Sequence, residues 1–160
     1  MKHLSLLLLL TAVPGYSDLI VTLAPSTRVA APGGMVTFCG TIENTALVDA
    51  FLNDIAFTFT PPAGTYLTAD NNFFFANVPG VLLSGETYTG PIFRFVVAPN
   101  TPAGIYSGTV SLLGGATDLS FDPFTPTSFA VQMVPEPSTL GLMLAALGVL
   151  LTADRRYHHL

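Results

Sequence analysis

Of the 160 residues half are hydrophobic and only 9% are charged, against roughly 25% in an ordinary soluble domain. Ten carboxylates face five Lys and Arg, for a formal charge of −5, which excludes a disordered chain, poor in apolar residues and high in net charge, and a nucleic-acid binder, which needs a basic surplus. The length allows one folded domain with short appendages.

The chain opens on an export signal. Lys2 and His3 form a short positive start, and Leu4–Val13 is an apolar run of ten residues. That run is too short to span a hydrocarbon core of about 30 Å. Pro14 and Gly15 break it, and Gly15 and Ser17 place small residues at the −3 and −1 positions of a cut between Ser17 and Asp18. Residues 1–17 are therefore expected to be a signal peptide with a short apolar helix.

From Asp18 to Met133 the pattern changes to period-2 runs bounded by Gly, Pro and Asn, the signature of short strands. The first covers Asp18–Ala24, with Leu19, Val21 and Leu23 on one face. After the turn Ala31-Pro32-Gly33-Gly34, Met35–Glu43 places Val36, Phe38, Gly40 and Ile42 inward. Residues 44–53 read as a loop or a single helical turn. Asp54–Thr60 alternates Ile55, Phe57 and Phe59 against Ala56, Thr58 and Thr60, and stops at Pro61-Pro62-Ala63-Gly64. Phe73-Phe74-Phe75 reads as a short apolar strand. Glu86–Ala98 has Phe93, Phe95 and Val97 inward and Arg94 outward, with Pro91 marking an edge or a bulge. Ile105–Leu113 and Ser128–Met133 complete the set. Seven or eight short strands of this kind predict an all-β sandwich over residues 18–133.

The chain ends on a second address. Pro135-Glu136-Pro137 leads into the apolar run Leu140–Leu151, followed by Arg155 and Arg156. Residues 138–153 are expected to form a short hydrophobic transmembrane helix. Arginines directly after it fit a cytoplasmic flank. Proline fixes φ and disfavours helix in the residue before it, so the junction stays extended.

Pro-Glu-Pro, a Leu/Ala/Gly-rich span and terminal arginines, in that order, resemble the PEP-CTERM sorting signal of Gram-negative bacteria, over residues 134–160. The resemblance implies recognition of Pro135, Glu136 and Pro137 by an exosortase-type membrane protease, with Arg155 and Arg156 as the cytoplasmic stop. It also implies partnership with the secretion machinery, a transient stay in the inner membrane, and delivery to the cell surface or extracellular matrix. The middle resembles the immunoglobulin-like domains of bacterial surface proteins. Pro32-Gly33 before a Val-Thr-Phe strand, Glu43-Asn44 at its end, and Pro102–Gly108 entering the penultimate strand carry that likeness. It implies that Tyr106 is a tyrosine corner, tying its hydroxyl back to the backbone. The cysteine pair and core tryptophan of antibody domains are missing; twelve phenylalanines are available to fill the core instead.

The reactive residues are unevenly placed. The histidines are His3, His158 and His159, and the only lysine is Lys2, so residues 18–134 hold neither type. Two arginines and eight carboxylates give that segment a net charge of −6. A Ser-His-Asp or Cys-His device cannot be assembled from it, and zinc, copper or nickel would find no imidazole. The expectation is no enzyme, no cofactor and no assigned metal. Asp49, Asp54 and Asp70 are weak calcium candidates, lacking the dense Asp-x-Asp spacing of a calcium loop. Cys39 has no partner cysteine and reads as a small strand residue. Outward hydroxyls (Thr58, Thr60, Ser107, Thr109 and Ser111 among them) suit a solvated sheet face or a saccharide contact. The sequence thus points to an exported structural protein. Two alternatives are an adhesive module for extracellular polysaccharide or another protein, and a permanently anchored single-pass protein.

Overall fold

A computed structural model describes residues 18–134. In chain order the elements are β1 (Leu19–Leu23), β2 (Thr27–Ala30), β3 (Met35–Asn44), β4 (Ala50–Phe59), α1 (Ala63–Tyr66), β5 (Leu67–Ala69), α2 (Asn71–Asn77), β6 (Val81–Leu82), β7 (Thr87–Val97), β8 (Gly104–Gly115), β9 (Asp122–Pro123) and β10 (Thr127–Met133). One sheet has the order β1-β3-β7-β5, the other β2-β10-β8-β4-β6, with β9 added to β8. The first sheet corresponds to strands A, B, E and D of an immunoglobulin domain, and β4, β8 and β10 to C, F and G. The chain changes sheet early: β1 runs antiparallel to β3, while β2 pairs in parallel with β10. The fold is a β-sandwich, as the alternating pattern predicted, and an immunoglobulin-like one, as the resemblance implied.

Alternation builds the core. Val36, Phe38 and Ile42 of β3 are buried, and so are Phe93, Phe95 and Val97 of β7, Tyr106, Val110 and Leu112 of β8, and Phe129, Val131 and Met133 of β10. Phe38, Phe57, Phe59, Phe93, Phe95 and Phe129 form one aromatic cluster whose touching rings lie 4.7–6.3 Å apart, mostly edge to face. That geometry suits the ring quadrupole and fills space without a polar atom to satisfy. Gly108 sits beneath it, where an added Cβ would meet the Phe129 ring at 2.9 Å and the Thr58 carbonyl closer still. In an antibody domain this position, two after the corner tyrosine, holds a disulfide cysteine. Here phenylalanine occupies the space.

Two expectations are overturned. Residues 44–53 are not all loop: β4 begins at Ala50, with Ala50 and Leu52 buried. A register shift between Leu52 and Asp54 then moves the inward face from even to odd positions, which hides the first part of the strand from a period-2 reading. Phe73–Phe75 is not a strand; it lies within α2. Only Phe74 of the three is buried, and Val78, four residues on, is buried with it. The i, i+4 spacing is the helical signal that three adjacent phenylalanines obscure. Pro91 does sit at a bulge, where the β3–β7 register shifts between Phe38 and Cys39.

Candidate functional site

The loops gather into two poles of opposite character. At one pole meet the turn 31–34, the segment 60–66 and the segment 98–104, together with Val134. Gly33 adopts φ +75° to make the first turn, conformation that glycine reaches without a Cβ clash. The Gly33 N–H donates to Ala98 O at 3.2 Å, and the Val97 N–H donates to Gly34 O at 2.9 Å. The Thr101 hydroxyl donates to Ala98 O at 2.6 Å. Tyr106 donates its hydroxyl to Pro102 O at 3.0 Å, four residues upstream, which is the expected tyrosine corner. Burial, then the neighbouring Tyr66, pushes the Tyr106 phenol above its ordinary 10.0. The Val134 N–H donates to Ala30 O at 3.1 Å, so the backbone is held up to the residue before Pro135. Residues 31–35, 60–66, 98–105 and 134 include no charged side chain.

The other pole is acidic. It holds Asp18, Glu43, Asp49, Glu86, Asp118 and Asp122, six of the eight carboxylates in residues 18–134. Its loops are organised by Asn44, whose side chain is 0% exposed. The Asn44 amide donates to the carbonyls of Val48, Leu82 and Leu83 at 2.9, 3.0 and 3.1 Å and accepts from the Ala46 N–H at 3.1 Å. One side chain thereby ties the β3–β4 loop to the β6–β7 loop. The sequence placed Asn44 at a strand end, and nothing in its spacing announced this role. Asn53 does similar work for the 117–120 loop, donating to Thr117 O and Ser120 O at 2.9 and 2.8 Å.

The three calcium candidates are not brought together. Asp49 accepts from the Ser84 N–H at 3.1 Å, and Asp54 accepts from its neighbour Ile55 at 2.8 Å. Asp70 forms an ion pair with Arg94. Among the described residues no group of three or more His, Cys, Asp or Glu side chains could hold a metal ion. The Arg94 guanidinium also lies over the Phe73 ring, 4.6 Å from its centre. Its hydrogen bonds hold the Asp70 carboxyl below the ordinary 3.8. Cys39 is half-buried on the outer face of the first sheet, with a free thiol. On the outer face of the second sheet, Thr58, Thr109 and Ser128 form one cross-strand row. A shallow depression of about 250 Å3 lies along it, next to Thr60 and Ser107.

The uncharged pole is where the C-terminal address leaves the sandwich, and the comparison with protein families falls on that point. The PEP-CTERM protein-sorting motif matches residues 134–156. The chain carries a PEP-CTERM sorting signal. It is thus an exported protein with a C-terminal signal of the membrane-anchor type, and the motif implies processing by an exosortase. No curated protein matches the sequence. Among solved structures the chain is similar to the ASH / PapD-like domain 7 of human CEP192, at 11% identity and TM-score 0.45, over 86% of this chain and 99% of that one. It is also similar to the CsuC–CsuE chaperone–tip adhesion subunit complex of Acinetobacter baumannii, at 15% identity and TM-score 0.37, over 73% and 57%. A type I cohesin from Pseudobacteroides cellulosolvens matches at 11% identity and TM-score 0.34, over 76% and 96%.

The PEP-CTERM residues Pro135, Glu136 and Pro137, the arginines Arg155 and Arg156, the span 138–153 and the signal peptide with Ser17 lie outside the described residues. Asp18, on the other side of the expected cut, lies inside them, and its carbonyl accepts from the N–H and the hydroxyl of Thr45, both at 3.0 Å. Among the described residues no helix is long and apolar enough to cross a membrane.

Proposed function

We propose that this protein is a non-enzymatic structural component of the cell surface or extracellular matrix. Its signal peptide is removed after Ser17, and its tail is removed by an exosortase-type protease in the inner membrane. The carrying observation is the junction at Val134. There the sorting motif begins on the last backbone hydrogen bond of the sandwich, so cleavage near Pro-Glu-Pro releases a complete domain. Two further facts support the reading. The sandwich sequence has no histidine or lysine to act as a base or nucleophile. Four of its carboxylates, Asp49, Asp54, Asp70 and Glu86, are engaged in loop and ion-pair contacts.

The placement of the two ends bears on signal removal. β1 starts at the acidic pole and β10 ends at the uncharged one. A ten-residue strand such as β3 separates the poles by about 33 Å. Ends that leave a folded sandwich at opposite poles are poorly placed to enter one bilayer side by side, which supports removal of the N-terminal one. The test is the intact mass of the protein recovered from the medium and cell surface of producing cells. We expect loss of residues 1–17 and of Leu140–Leu151. Retention of Leu140–Leu151 in the delivered protein would overturn the release reading in favour of a permanent anchor.

A second reading, a polysaccharide-binding module, is favoured by the cross-strand hydroxyl row of Thr58, Thr109 and Ser128. Binding of bacterial exopolysaccharide by the released protein, lost in a Thr58→Val/Thr109→Val variant, would establish it. Absence of binding leaves the structural role alone, and binding unchanged in the variant removes the hydroxyl row as the contact.

A further inference from the structure

We propose that the uncharged pole is a membrane-facing surface: while the tail is anchored, the sandwich stands with this pole against the lipid headgroups. The inference rests on the reading of the PEP-CTERM tail as a membrane anchor and adds an orientation and a contact.

The first support is tether length. The chain is held by the Val134–Ala30 bond, and only Pro135, Glu136 and Pro137 precede the hydrophobic span at Ser138. Three residues fully extended reach about 10–11 Å. The headgroup layer on one side of a bilayer is about 5–7 Å thick. Little room is left for water between the pole and the headgroups, so the tether brings the pole up to the surface.

The second support is that this pole tolerates the contact and the other does not. Its loops carry no charge, and the strand ends beside them expose Met35, Val96 and Ile105, with Val134 next to them and Ile105 71% exposed. The nearest charges are Arg28, attracted to anionic lipid, and Arg94, paired with Asp70. The six carboxylates gathered at the opposite pole are held about 33 Å away. Pressed against anionic headgroups they would be repelled and in part desolvated. Burying uncharged proline-rich loops in the headgroup layer incurs no such penalty.

The chain contains no tryptophan, so a single introduced one reports position. Full-length protein would be reconstituted in vesicles of phosphatidylethanolamine and phosphatidylglycerol carrying a headgroup nitroxide lipid. Three variants are compared: Ile105→Trp and Met35→Trp at the uncharged pole and Leu119→Trp, 82% exposed, at the acidic pole. All three side chains are exposed, so folding is preserved, and circular dichroism checks it. The expected result is quenching several-fold stronger at positions 35 and 105 than at 119, and weakened at position 35 when Ala103→Asp is added. Equal quenching at all three positions in vesicle-bound protein overturns the orientation. Quenching at 35 and 105 that requires added exosortase overturns it too, since the pole would then dock on the protease. Failure of the protein to float with vesicles is a different failure, because it removes the anchor reading beneath the inference.

Discussion

Two aromatic triplets teach how this chain assigns structure. Phe93-Arg94-Phe95 lies in β7, and Phe73-Phe74-Phe75 lies in α2. In the first, alternation sends both rings inward to the six-membered cluster and the arginine outward. In the second, a helix turns one ring in, leaves Phe73 half-covered under Arg94, and puts Phe75 into solvent at 56% exposed. The same residue type thus has three different energetic roles, and what decides between them is the period of the backbone, not hydrophobicity. The triplets also touch, since the outward residue of one caps the first ring of the other.

The largest effect should come from Phe95. Its ring contacts five others of the cluster, and it is fully buried between the two sheets. Phe95→Ala should cost about 5 kcal/mol in urea unfolding of the released sandwich, the upper end for such truncations. Phe74→Ala comes next, at about 3 kcal/mol, because a seven-residue helix on one side of the sandwich can settle inward and shrink the cavity. If Phe74→Ala costs as much as Phe95→Ala, α2 is part of the rigid core and the contrast between the triplets fails.

The contact between the triplets has a pH signature. Arg94 holds the Asp70 carboxyl below its ordinary 3.8, chiefly by hydrogen bonding. A depressed carboxylate pKa stabilises the fold above the unfolded value, and that contribution is lost as pH falls from about 3.8 through the folded value. Arg94→Met should therefore flatten this part of the acid-unfolding profile below pH 4 and lose the same amount of stability at pH 7, a small amount because the pair is partly solvated. A profile of unchanged slope would show that the pair does not couple to folding.

The same contrast explains what could be read in advance. Strands with sustained alternation (β3, β8, β10 and the half of β7 after its bulge) were legible, and so was the tyrosine corner, because Tyr106 follows Pro102-Ala103-Gly104-Ile105 at the start of its strand. The first part of β4 was not, because the bulge near Asn53 changes its phase. β2, β5, β6 and β9 have two to four residues each, too few to show a period. α2 escapes a period-2 reading because three identical neighbours contain no period at all, and the informative partner, Val78, lies past them. Asn44 was invisible for another reason: its partners are backbone carbonyls 4 and 38–39 residues away, and backbone leaves no mark in side-chain identity. The tail was legible because its order of motif, apolar span and arginines is linear and needs no fold.

The smallest effect should fall on Phe75, and it is the most exacting measurement of the set. Its ring keeps one aromatic contact, edge-on to Phe74 at 5.4 Å, worth about 0.5–1 kcal/mol if fully desolvated. At 56% exposed it realises only part of that. Alanine in its place removes the contact but is the better helix former, by about 0.5 kcal/mol at an interior position. The two terms oppose each other, so Phe75→Ala should leave stability within about 0.5 kcal/mol of the parent. Hydrogen exchange of the Val78 amide, which bonds to Phe74 O at 2.9 Å, reads the helix directly and should slow slightly if propensity dominates. A loss comparable to that of Phe74→Ala would mean that the outer face of α2 is covered in solution, and the solvent-facing role assigned to the third phenylalanine would be wrong.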